Sequence, residues 1–315
     1  TGKYGKPRDL TADLIVVDEV SMLDVFLADK LFMAVKKGAK VVLIGDADQL
    51  PSVGPGAVLS ELIASECIPV IRLDKVYRQS SGSRIALNAR LIRHGNLNLE
   101  YGVDFRFIDS ADLTESAKLM EELYLRDVKK YGVNRVAMLS PFRQKTETCV
   151  NALNEALRGL VNPPSASKNE LENGKKHFRV GDKVMANKNS GDISNGDIGY
   201  IKAIDHDGDD TLLYVDFGDG RCREFGKEDI DMLELGYAST VHKSQGSEYD
   251  SVIINLQKAH SIMLTRPLVY TAITRGKKNV IIVGERRALC MAIRRPDTEK
   301  RGTRLAERLK EKFNK

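Results

Sequence analysis

The stretch that decides the fold is Asp13–Asp24, with the sequence DLIVVDEVSMLD. Its apolar run, Leu14–Val17, is short and bounded by polar residues, which is typical of a central parallel strand with both faces covered. Two adjacent carboxylates, Asp18 and Glu19, follow directly. Open α/β sheets bind ligands at the carboxyl ends of their strands, where the first carboxylate can hold Mg²⁺ and the second can orient or deprotonate a water. The alternative is a strand that ends in a solvated acidic turn.

The composition indicates a globular protein. The 315 residues are 42% hydrophobic and 30% charged, and their number allows roughly two or three domains. The chain has no apolar run long enough to span a membrane and no signal peptide, so we expect no membrane association. Its four cysteines lack paired spacing, which favours reduced thiols and a cytoplasmic protein.

Strands and helices alternate along the first hundred residues. Lys40–Ile44 and Ile68–Leu73 are predicted to be the strands that follow Leu14–Val17, and Met22–Val35 and Ala57–Ala64 have helical spacing. This βαβ order predicts a parallel sheet with crossover helices. A similar block follows, with helices predicted within residues 119–128 and 146–157 and a strand within 135–139.

The pattern changes between about residues 178 and 235, where short alternating strands are separated by turns rich in Gly and Asp. This region predicts a small antiparallel barrel inserted into the second α/β unit. The α/β pattern resumes at Ser251–Leu256 and Asn279–Val283. The predicted division is a first, partial domain in residues 1–110, a second domain in 111–177 and 236–290, the barrel in 178–235 and a tail in 291–315.

The C-terminal segment is basic. Arg286–Lys315 contains eleven Lys or Arg residues and four acids. Such a tail favours partners rich in phosphate. An amphipathic helix, solvated on its polar face and with Leu305 and Leu309 on its apolar side, explains the same residues equally well.

Two further segments carry candidate phosphate-binding side chains. The second strand runs into GDADQLP, where Gln49 could reach a terminal phosphate; an ordinary Asp-rich turn is the alternative. The segment LDKVYRQ contains Arg78, a candidate for bidentate recognition of a phosphate. A surface arginine without a specific contact is the alternative for that residue.

Six blocks of the sequence together resemble one family of proteins. In chain order they are DLIVVDEVSMLD, VVLIGDADQLPSVGPG, LDKVYRQ, SPFR, YASTVHKSQGSEYD and VYTAITRGKK. They are similar to the later motifs of superfamily 1 DNA helicases, in the RecD-like branch that moves 5′ to 3′. The resemblance extends from Asp13 to about Val283. It implies RecA-like parallel-sheet motor domains, the first of them incomplete, and an SH3-like barrel within the second.

The resemblance implies a nucleotide site for ATP and Mg²⁺. Asp18 would hold the metal ion and Glu19 would activate the attacking water. Gln49 resembles the amide that couples the γ-phosphate to movement on DNA. Arg78 and Arg275 resemble the two arginines that stabilise charge on the transferred phosphoryl group, which needs cations around it. Arg275 follows a helical stretch of the second domain, so it would reach the nucleotide when the two domains close.

The segment Tyr237–Asp250 is rich in hydroxyl, amide and charged side chains, and Gly246 lets its backbone approach a ligand closely. The resemblance places Gln245, Gly246 and Glu248 near the nucleotide, with Glu248 on the ribose. It places Thr240, His242 and Lys243 near DNA. A capped surface histidine is the alternative for His242.

The block SPFR is expected to contact single-stranded DNA. Within Pro141–Arg143, Phe142 could stack on a base and Arg143 could bind a phosphate. The alternative is that Phe142 belongs to the core.

One part of the family pattern is missing from these 315 residues. The phosphate-binding loop GxxxxGK[ST] of such ATPases does not occur in the sequence. Two explanations stay open: a C-terminal part of a longer helicase, or a truncated, non-catalytic relative that binds single-stranded DNA or joins a complex, such as an exodeoxyribonuclease V alpha-like subunit. Subunits of a nuclease or recombination complex are therefore possible partners. We expect this chain alone not to hydrolyse ATP efficiently.

Overall fold

The structure is a computed structural model that describes residues 7–73, 82–174, 176–207, 210–296 and 303–313. The strands of this part of the chain are β1 Leu14–Val17, β2 Lys40–Leu43, β3 Phe105–Asp109, β4 Val136–Ser140, β5 Glu170–Asn173, β6 Lys176–Arg179, β7 Lys183–Ala186, β8 Ile198–Asp207, β9 Asp210–Asp216, β10 Cys222–Phe225, β11 Leu233–Leu235, β12 Ala238–Thr240, β13 Tyr249–Leu256 and β14 Gly276–Gly284. The α-helices are α1 Val25–Ala34, α2 Val58–Ser65, α3 Arg84–Arg93, α4 Leu113–Tyr131, α5 Val150–Val161, α6 Arg266–Thr274, α7 Arg286–Arg294 and α8 Leu305–Phe313. None of the described helices has the length and apolar character needed to cross a membrane.

The first α/β unit contains β1 and β2, which pair in parallel from Leu14↔Lys40 to Val17↔Leu43. Helices α1 and α2 cover one face of this pair. Asp24 caps α1, because its carboxylate accepts a hydrogen bond from the Leu27 amide at 2.7 Å. The two helices and the ends of the strands enclose a small apolar core.

The prediction that β1 is covered on both faces is wrong for the described structure. Leu14 and Val16 are 56% and 57% exposed, whereas Val17 packs against the small core. The difference arises because the described helices lie on one side of the sheet only. The other face of β1 and β2 is apolar and open among the residues that the structure describes.

The predicted strand Ile68–Leu73 is also wrong, since the structure has no strand over these residues. Ile71 and Leu73 are almost fully exposed, at 89% and 88%. Pro69 supplies a physical reason, because proline has no amide hydrogen to donate to a neighbouring strand.

The second α/β unit is a five-stranded sheet in the order β12-β4-β13-β14-β3, and all its neighbouring strands are parallel. Alternate residues of β13 point to opposite faces: Val252 and Ile254 pack with α3, α6 and α7, and Ile253 packs with α4 and α5. Helices therefore cover both faces, as in doubly wound sheets. This arrangement confirms the predicted parallel-sheet α/β class.

Residues 84–109 lie with the second sheet. Strand β3 pairs with β14 from Phe105↔Val280 onward, and Ile85 and Ile92 of α3 are buried in the same core as α6. The boundary predicted at residue 110 therefore differs from the division between the two sheets. We propose that the first unit ends before α3.

The inserted region forms an antiparallel sheet in the order β10-β9-β8-β7-β11, as predicted for a small barrel. Its strands enclose their own core, which includes Phe178, Phe217 and Phe225. A short hairpin of β5 and β6 precedes it. Strand β11 returns the chain directly to β12, so the insert sits beside the edge of the second sheet.

The C-terminal segment forms two helices. Ala292 and Ile293 of α7 are buried in the second core, so we propose that the tail begins after Arg294 rather than after residue 290. Leu305 and Leu309 of α8 pack against the core of the first unit. The amphipathic interpretation of the tail is therefore supported, although α8 rests on α2 rather than standing alone in solvent.

Candidate nucleotide and DNA site

The carboxylate pair and the turn after β2 lie side by side. The Ile44 amide donates to the Val17 carbonyl at 2.8 Å, and the Val20 amide donates to the Ile44 carbonyl at 2.9 Å. Gly45 makes this approach possible, because a Cβ there would lie 3.1 Å from the backbone nitrogens of Val20 and Ser21. The ends of the two strands therefore form one edge, as the sequence predicted.

The backbone at this edge holds Glu19 in an unusual conformation. Glu19 has φ 54° and ψ 38°, the left-handed region that residues with a side chain rarely occupy. Asp18 Oδ1 accepts a hydrogen bond from the Glu19 amide at 2.7 Å. The turn thus directs two consecutive side chains away from the strand.

The donor set at this edge fits Mg²⁺. Asp18 is exposed, and Mg²⁺ is commonly held by one or two carboxylates together with waters and substrate phosphates. Among the described residues no cluster of three or more His, Cys, Asp or Glu side chains could hold a metal ion. A metal at Asp18 would therefore need ligands from water and substrate in addition to the protein.

Gln49, the predicted sensor, and Tyr270 of the second unit both contact the carboxylate of Asp46. Gln49 Nε2 lies 3.4 Å from Asp46 Oδ2, and the hydroxyl of Tyr270 donates to the same oxygen at 2.9 Å. Asp46 Oδ1 also accepts the Asp48 amide at 3.0 Å, which closes the turn. The Gln49 Oε1 atom is buried without a hydrogen-bond partner among the described residues, so it can accept a hydrogen bond from a ligand or a water.

The backbone of Leu50 connects the two units directly. Its amide donates to the hydroxyl of Thr271 on α6 at 2.7 Å, and its carbonyl accepts from Gln245 Nε2 at 2.8 Å. The Leu50 side chain is 5% exposed and lies in the core of the second unit. A movement of the turn after β2 would therefore displace the hydrogen-bond partners of both Thr271 and Gln245.

Arg275 lies at the C-terminal end of α6 and is 2% exposed. Its guanidinium donates to the Thr271 carbonyl at 3.2 Å, the Ser247 carbonyl at 3.2 Å and the Thr274 hydroxyl at 3.3 Å. These contacts fix Arg275 against the segment that contains Gln245. They bring together residues that the sequence placed near the nucleotide in separate motifs.

Gly246 and Glu248 complete this segment. Gly246 has φ +74°, and no atom lies within 4 Å of the Cβ that another residue would have there. The requirement at this position is therefore conformational rather than steric. The carboxylate of Glu248 forms an ion pair with Lys277 at 2.7 Å.

A second edge is formed by the ends of β4 and β12. These strands are parallel neighbours in which Ser140 pairs with Thr240, so the segments that follow them leave the sheet side by side. Pro141–Arg143 and Val241–Lys243 are those segments. The structure thus brings the two groups of predicted DNA-binding residues to one edge of the sheet.

Phe142 is half-buried beside His260. The two rings meet edge to face with centroids 5.0 Å apart, and His260 Nε2 lies 3.3 Å from the Thr146 hydroxyl. Burial lowers the pKa of His260 to about 4, so its imidazole is neutral at physiological pH. The packing supports part of the core alternative for Phe142, while the remaining exposure leaves a ring surface for stacking.

The predicted cations Arg143 and Lys243 converge on one carboxylate. Glu234 of β11 forms an ion pair with Arg143 through Oε1, and its Oε2 lies 3.0 Å from Lys243 Nζ. The Thr240 hydroxyl accepts a hydrogen bond from the Lys243 amide at 3.3 Å, which ties Thr240 to the turn that contains Lys243. His242 is half-buried in the same turn.

The candidate Arg78 lies outside the described residues. Four residues of the site had no role assigned to them from the sequence. Asp46, Tyr270 and Thr271 lie within the sequence motifs, whereas Glu234 lies outside them. The turn and the helix spacing carry a signal for Asp46 and Thr271, because Asp46 follows a strand and Thr271 lies one helical turn before Arg275. Glu234 has no such signal, since a single acid in the short strand LEL is ordinary.

Three family models match separate parts of the chain. Residues 6–111 match a model described as AAA domain. Residues 153–217 match a model described as ATP-dependent RecD-like DNA helicase SH3 domain, and residues 235–283 match UvrD-like helicase C-terminal domain.

Curated relatives are similar over nearly the whole chain. The ATP-dependent RecD2 DNA helicase of Deinococcus radiodurans is 36% identical over 300 residues, which cover 95% of this chain and 40% of that protein. The RecBCD enzyme subunit RecD of Mycobacterium tuberculosis strain H37Rv is 30% identical over 321 residues, covering 96% of this chain and 55% of that subunit. The chain thus spans about half the length of the curated relatives it matches.

Solved structures share the fold. The Pif1 helicase from Bacteroides in complex with ADP-AlF3 and ssDNA matches with a TM-score of 0.54 and 19% identity, covering 86% of this chain and 70% of that one. Two coordinating Pif1 helicases at forked dsDNA give a TM-score of 0.53, also at 19% identity, covering 86% of this chain and 69% of that one. At this identity the likeness shows the parallel-sheet α/β helicase fold alone.

Proposed function

This chain is related to the RecD-like DNA helicases of superfamily 1, and on that premise we propose that it is the motor core of an ATP-dependent DNA helicase. It couples ATP hydrolysis to 5′-to-3′ movement on single-stranded DNA. The relatives are named as an ATP-dependent DNA helicase and as a subunit of the RecBCD enzyme. A cytoplasmic DNA-processing enzyme, with nuclease or recombination-complex subunits as partners, accords with those names.

The observation that carries the proposal is the edge formed by β4 and β12. The register Ser140↔Thr240 brings to one edge the segments that contain an aromatic residue, Phe142, and two cations, Arg143 and Lys243. A stacking surface next to cations is the arrangement by which proteins hold single strands without reading their sequence. We therefore assign this edge to single-stranded DNA.

The other edge is assigned to the nucleotide. Asp18 holds Mg²⁺, which neutralises charge on the phosphates when it is bound there. Glu19 orients the attacking water and accepts its proton, and the buried Oε1 of Gln49 accepts a hydrogen bond from that water or from a donor beside the γ-phosphate. Arg275 supplies positive charge from the second unit.

Coupling between the two edges is assigned to Leu50 and its partners. Thr271 and Gln245 hold the Leu50 backbone at 2.7 Å and 2.8 Å, and Gln245 follows shortly after Lys243 of the DNA edge. A change at the γ-phosphate therefore has a short route, through the turn after β2, to the segment that contacts DNA. We assign this route the role of a two-state element between the two edges.

Hydrolysis requires a phosphate-binding loop, and the string GxxxxGK[ST] does not occur in these 315 residues. We propose that these 315 residues alone bind single-stranded DNA but turn over ATP poorly. A second candidate function is that of a non-catalytic DNA-binding or complex-forming relative. The two candidates differ in whether adding the phosphate-binding segment restores DNA-stimulated hydrolysis.

The proposal is tested by measuring the binding of the chain to a fluorescein-labelled oligothymidylate by fluorescence anisotropy at several salt concentrations. We expect salt-dependent binding that Arg143→Ala and Lys243→Ala each weaken by roughly three- to tenfold. Lys202→Ala is the matched control, since Lys202 is exposed on the barrel and pairs only with Asp216 among the described residues. Binding that neither variant at the edge weakens would remove the edge from its assigned role.

A further inference from the structure

Glu234 lies beneath the two cations of the proposed DNA edge. Its side chain is 17% exposed, whereas that of Arg143 is 54% exposed and that of Lys243 is 24% exposed. Arg143 and Lys243 bind different oxygens of the carboxylate. The carboxylate is thus covered by the cations, and about half of the Arg143 side chain is exposed to solvent.

The barrel fixes the position of this carboxylate. Glu234 lies on β11, where it pairs with Met185 of β7, and Asn187 Nδ2 donates to Glu234 Oε1 at 3.0 Å. The same Asn187 amide donates to the carbonyl of Asp231 at 2.8 Å, which ties it to the turn before β11. Glu234 is therefore held from the barrel side while it holds two residues of the second α/β unit.

The electrostatics keep the carboxylate charged. Burial acts to raise the pKa of Glu234, but the charge and hydrogen bond of Lys243, with the contacts of Asn187 and Arg143, outweigh burial and hold the pKa below its usual range. The three charges sum to one positive charge. Both cations retain further N–H donors, since guanidinium and ammonium groups have more donors than these contacts use.

We propose that Glu234 is a positioning residue for single-stranded DNA: it fixes Arg143 and Lys243 at a spacing that lets both donate to one phosphate. This inference rests on the proposed function, because it takes the edge of β4 and β12 as the DNA site. Two donors that reach the two oxygens of one carboxylate are close enough together to reach two oxygens of one phosphate. The inserted barrel thereby shapes the DNA edge without itself supplying the cations.

The opposite role for a carboxylate at such a place is competition with DNA. A competing carboxylate would occupy the cations and repel the backbone, so its removal would strengthen binding. Positioning predicts weaker binding although a negative charge has been removed. The sign of the effect therefore separates the two roles.

The experiment compares Glu234→Gln with Asp231→Asn in the full chain, using the labelled oligothymidylate. Asp231 is a matched control because it is an exposed acid of the turn before β11 that pairs with Lys176 and touches neither cation. We expect Glu234→Gln to weaken binding by roughly three- to tenfold and to lower the slope of log affinity against log salt by about one. Asp231→Asn is expected to bind equally well or slightly more tightly.

Two further variants exclude a general loss of structure. Glu234→Gln placed in the Arg143→Ala, Lys243→Ala background should cause no further loss of affinity, whereas a distorted barrel would still weaken binding there. Glu234→Asp keeps the charge but shortens the reach, so it should weaken binding as well. It serves as the test if Glu234→Gln does not fold.

Unchanged or tighter binding by Glu234→Gln, in a chain whose binding Arg143→Ala and Lys243→Ala do weaken, overturns this inference and leaves the proposed function standing. Absence of salt-dependent binding by the unaltered chain instead overturns the proposed function, and the inference falls with it.

Discussion

Tyr270 of α6 donates its hydroxyl to the carboxylate of Asp46 at 2.9 Å, across the division between the two α/β units. The same oxygen of Asp46 lies 3.4 Å from the side-chain amide of Gln49. One carboxylate thus contacts both the proposed γ-phosphate sensor and helix α6, which Arg275 directly follows. A ligand that draws the Gln49 amide away from Asp46 would leave Tyr270 as the side chain that donates to this carboxylate oxygen.

Tyr270→Phe should lower the free energy of unfolding by about 1 kcal/mol, because it leaves a partly buried carboxylate short of one hydrogen bond. Desolvation, followed by the charge and hydrogen bond of Asp46, raises the pKa of Tyr270, so the hydroxyl remains a donor across the range of ordinary buffers. Urea unfolding at neutral pH measures the effect. Tyr214→Phe on the barrel is the control, since the Tyr214 hydroxyl makes no hydrogen bond among the described residues. Equal losses in the two variants would contradict the prediction.

Glu19→Gln should abolish DNA-stimulated ATP hydrolysis while nucleotide binding is retained. The amide preserves the size of the side chain but cannot accept the proton of the attacking water. The measurement needs this chain together with a phosphate-binding loop, and it compares turnover with the affinity for a fluorescent ATP analogue. Glu66→Gln is the control, because Glu66 also has a positive φ, of 56°, but lies at the far end of α2. Substantial residual turnover would remove Glu19 from its role.

The regular parts of this fold could be predicted from the sequence because hydrophobic periodicity encodes burial. The apolar run at Ser251–Leu256 correctly indicated a strand, and helices cover both faces of this strand in the structure. The same reasoning failed for β1, since a pattern shows that a residue is apolar but not whether another layer covers it. It failed for Ile68–Leu73 because hydrophobicity was given more weight than the missing amide hydrogen of Pro69.

The site was only partly predictable, for a similar reason. Motif spacing correctly indicated that carboxylates end the first two strands. Ser140 and Thr240 are about a hundred residues apart in the sequence, and only the parallel register of β4 and β12 reveals that they are paired. Glu234 could not be found at all, because its importance comes from two cations contributed by other segments.

Gly246→Ala should destabilise the protein by about 1 kcal/mol, and Gly159→Ala should stabilise it by roughly 0.5–1 kcal/mol. Neither added methyl group meets an atom within 4 Å, so sterics do not distinguish the positions. The backbone does, since Gly246 has φ +74° whereas Gly159 lies within helix α5. Thermal unfolding of both variants measures the difference. A stabilised Gly246→Ala protein would contradict the left-handed conformation of this turn.

Glu61→Gln should loosen helix α8 from α2. The Glu61 carboxylate accepts the amides of Leu305 at 2.6 Å and Ala306 at 3.3 Å, so its charge caps the positive end of the α8 dipole. Amide hydrogen exchange of α8 should become faster, while exchange of α4 should not change. Glu307→Gln is the matched control, because Glu307 is an acid in the first turn of α8 itself but is exposed and pairs with Arg304. Unchanged exchange in the Glu61 variant would show that Leu305 and Leu309 hold the helix without the cap.

Lys183→Met should raise the free energy of unfolding at pH 7 by about 1–2 kcal/mol. It should also remove the rise of this free energy with pH that we expect for the unaltered chain at alkaline pH. Burial lowers the pKa of Lys183 to about 8, from an ordinary value of 10.5. The unfolded chain therefore binds more protons than the folded chain between about pH 8 and 10.5, so stability rises with pH across that interval. Below pH 8 the cost of burying the ammonium is fully present, and its hydrogen bond to the Val133 carbonyl at 3.0 Å offsets only part of it.

Urea unfolding of Lys183→Met at pH 7 and pH 9.5 measures both effects. Lys202→Met is the control, because the Lys202 side chain is 61% exposed and is expected to change neither quantity appreciably. The unaltered chain should be more stable at pH 9.5 than at pH 7 by a margin that the Lys183 variant lacks. A variant that is less stable than the unaltered chain at pH 7, with the alkaline rise intact, would mean that the buried ammonium contributes more through its hydrogen bond than its desolvation costs.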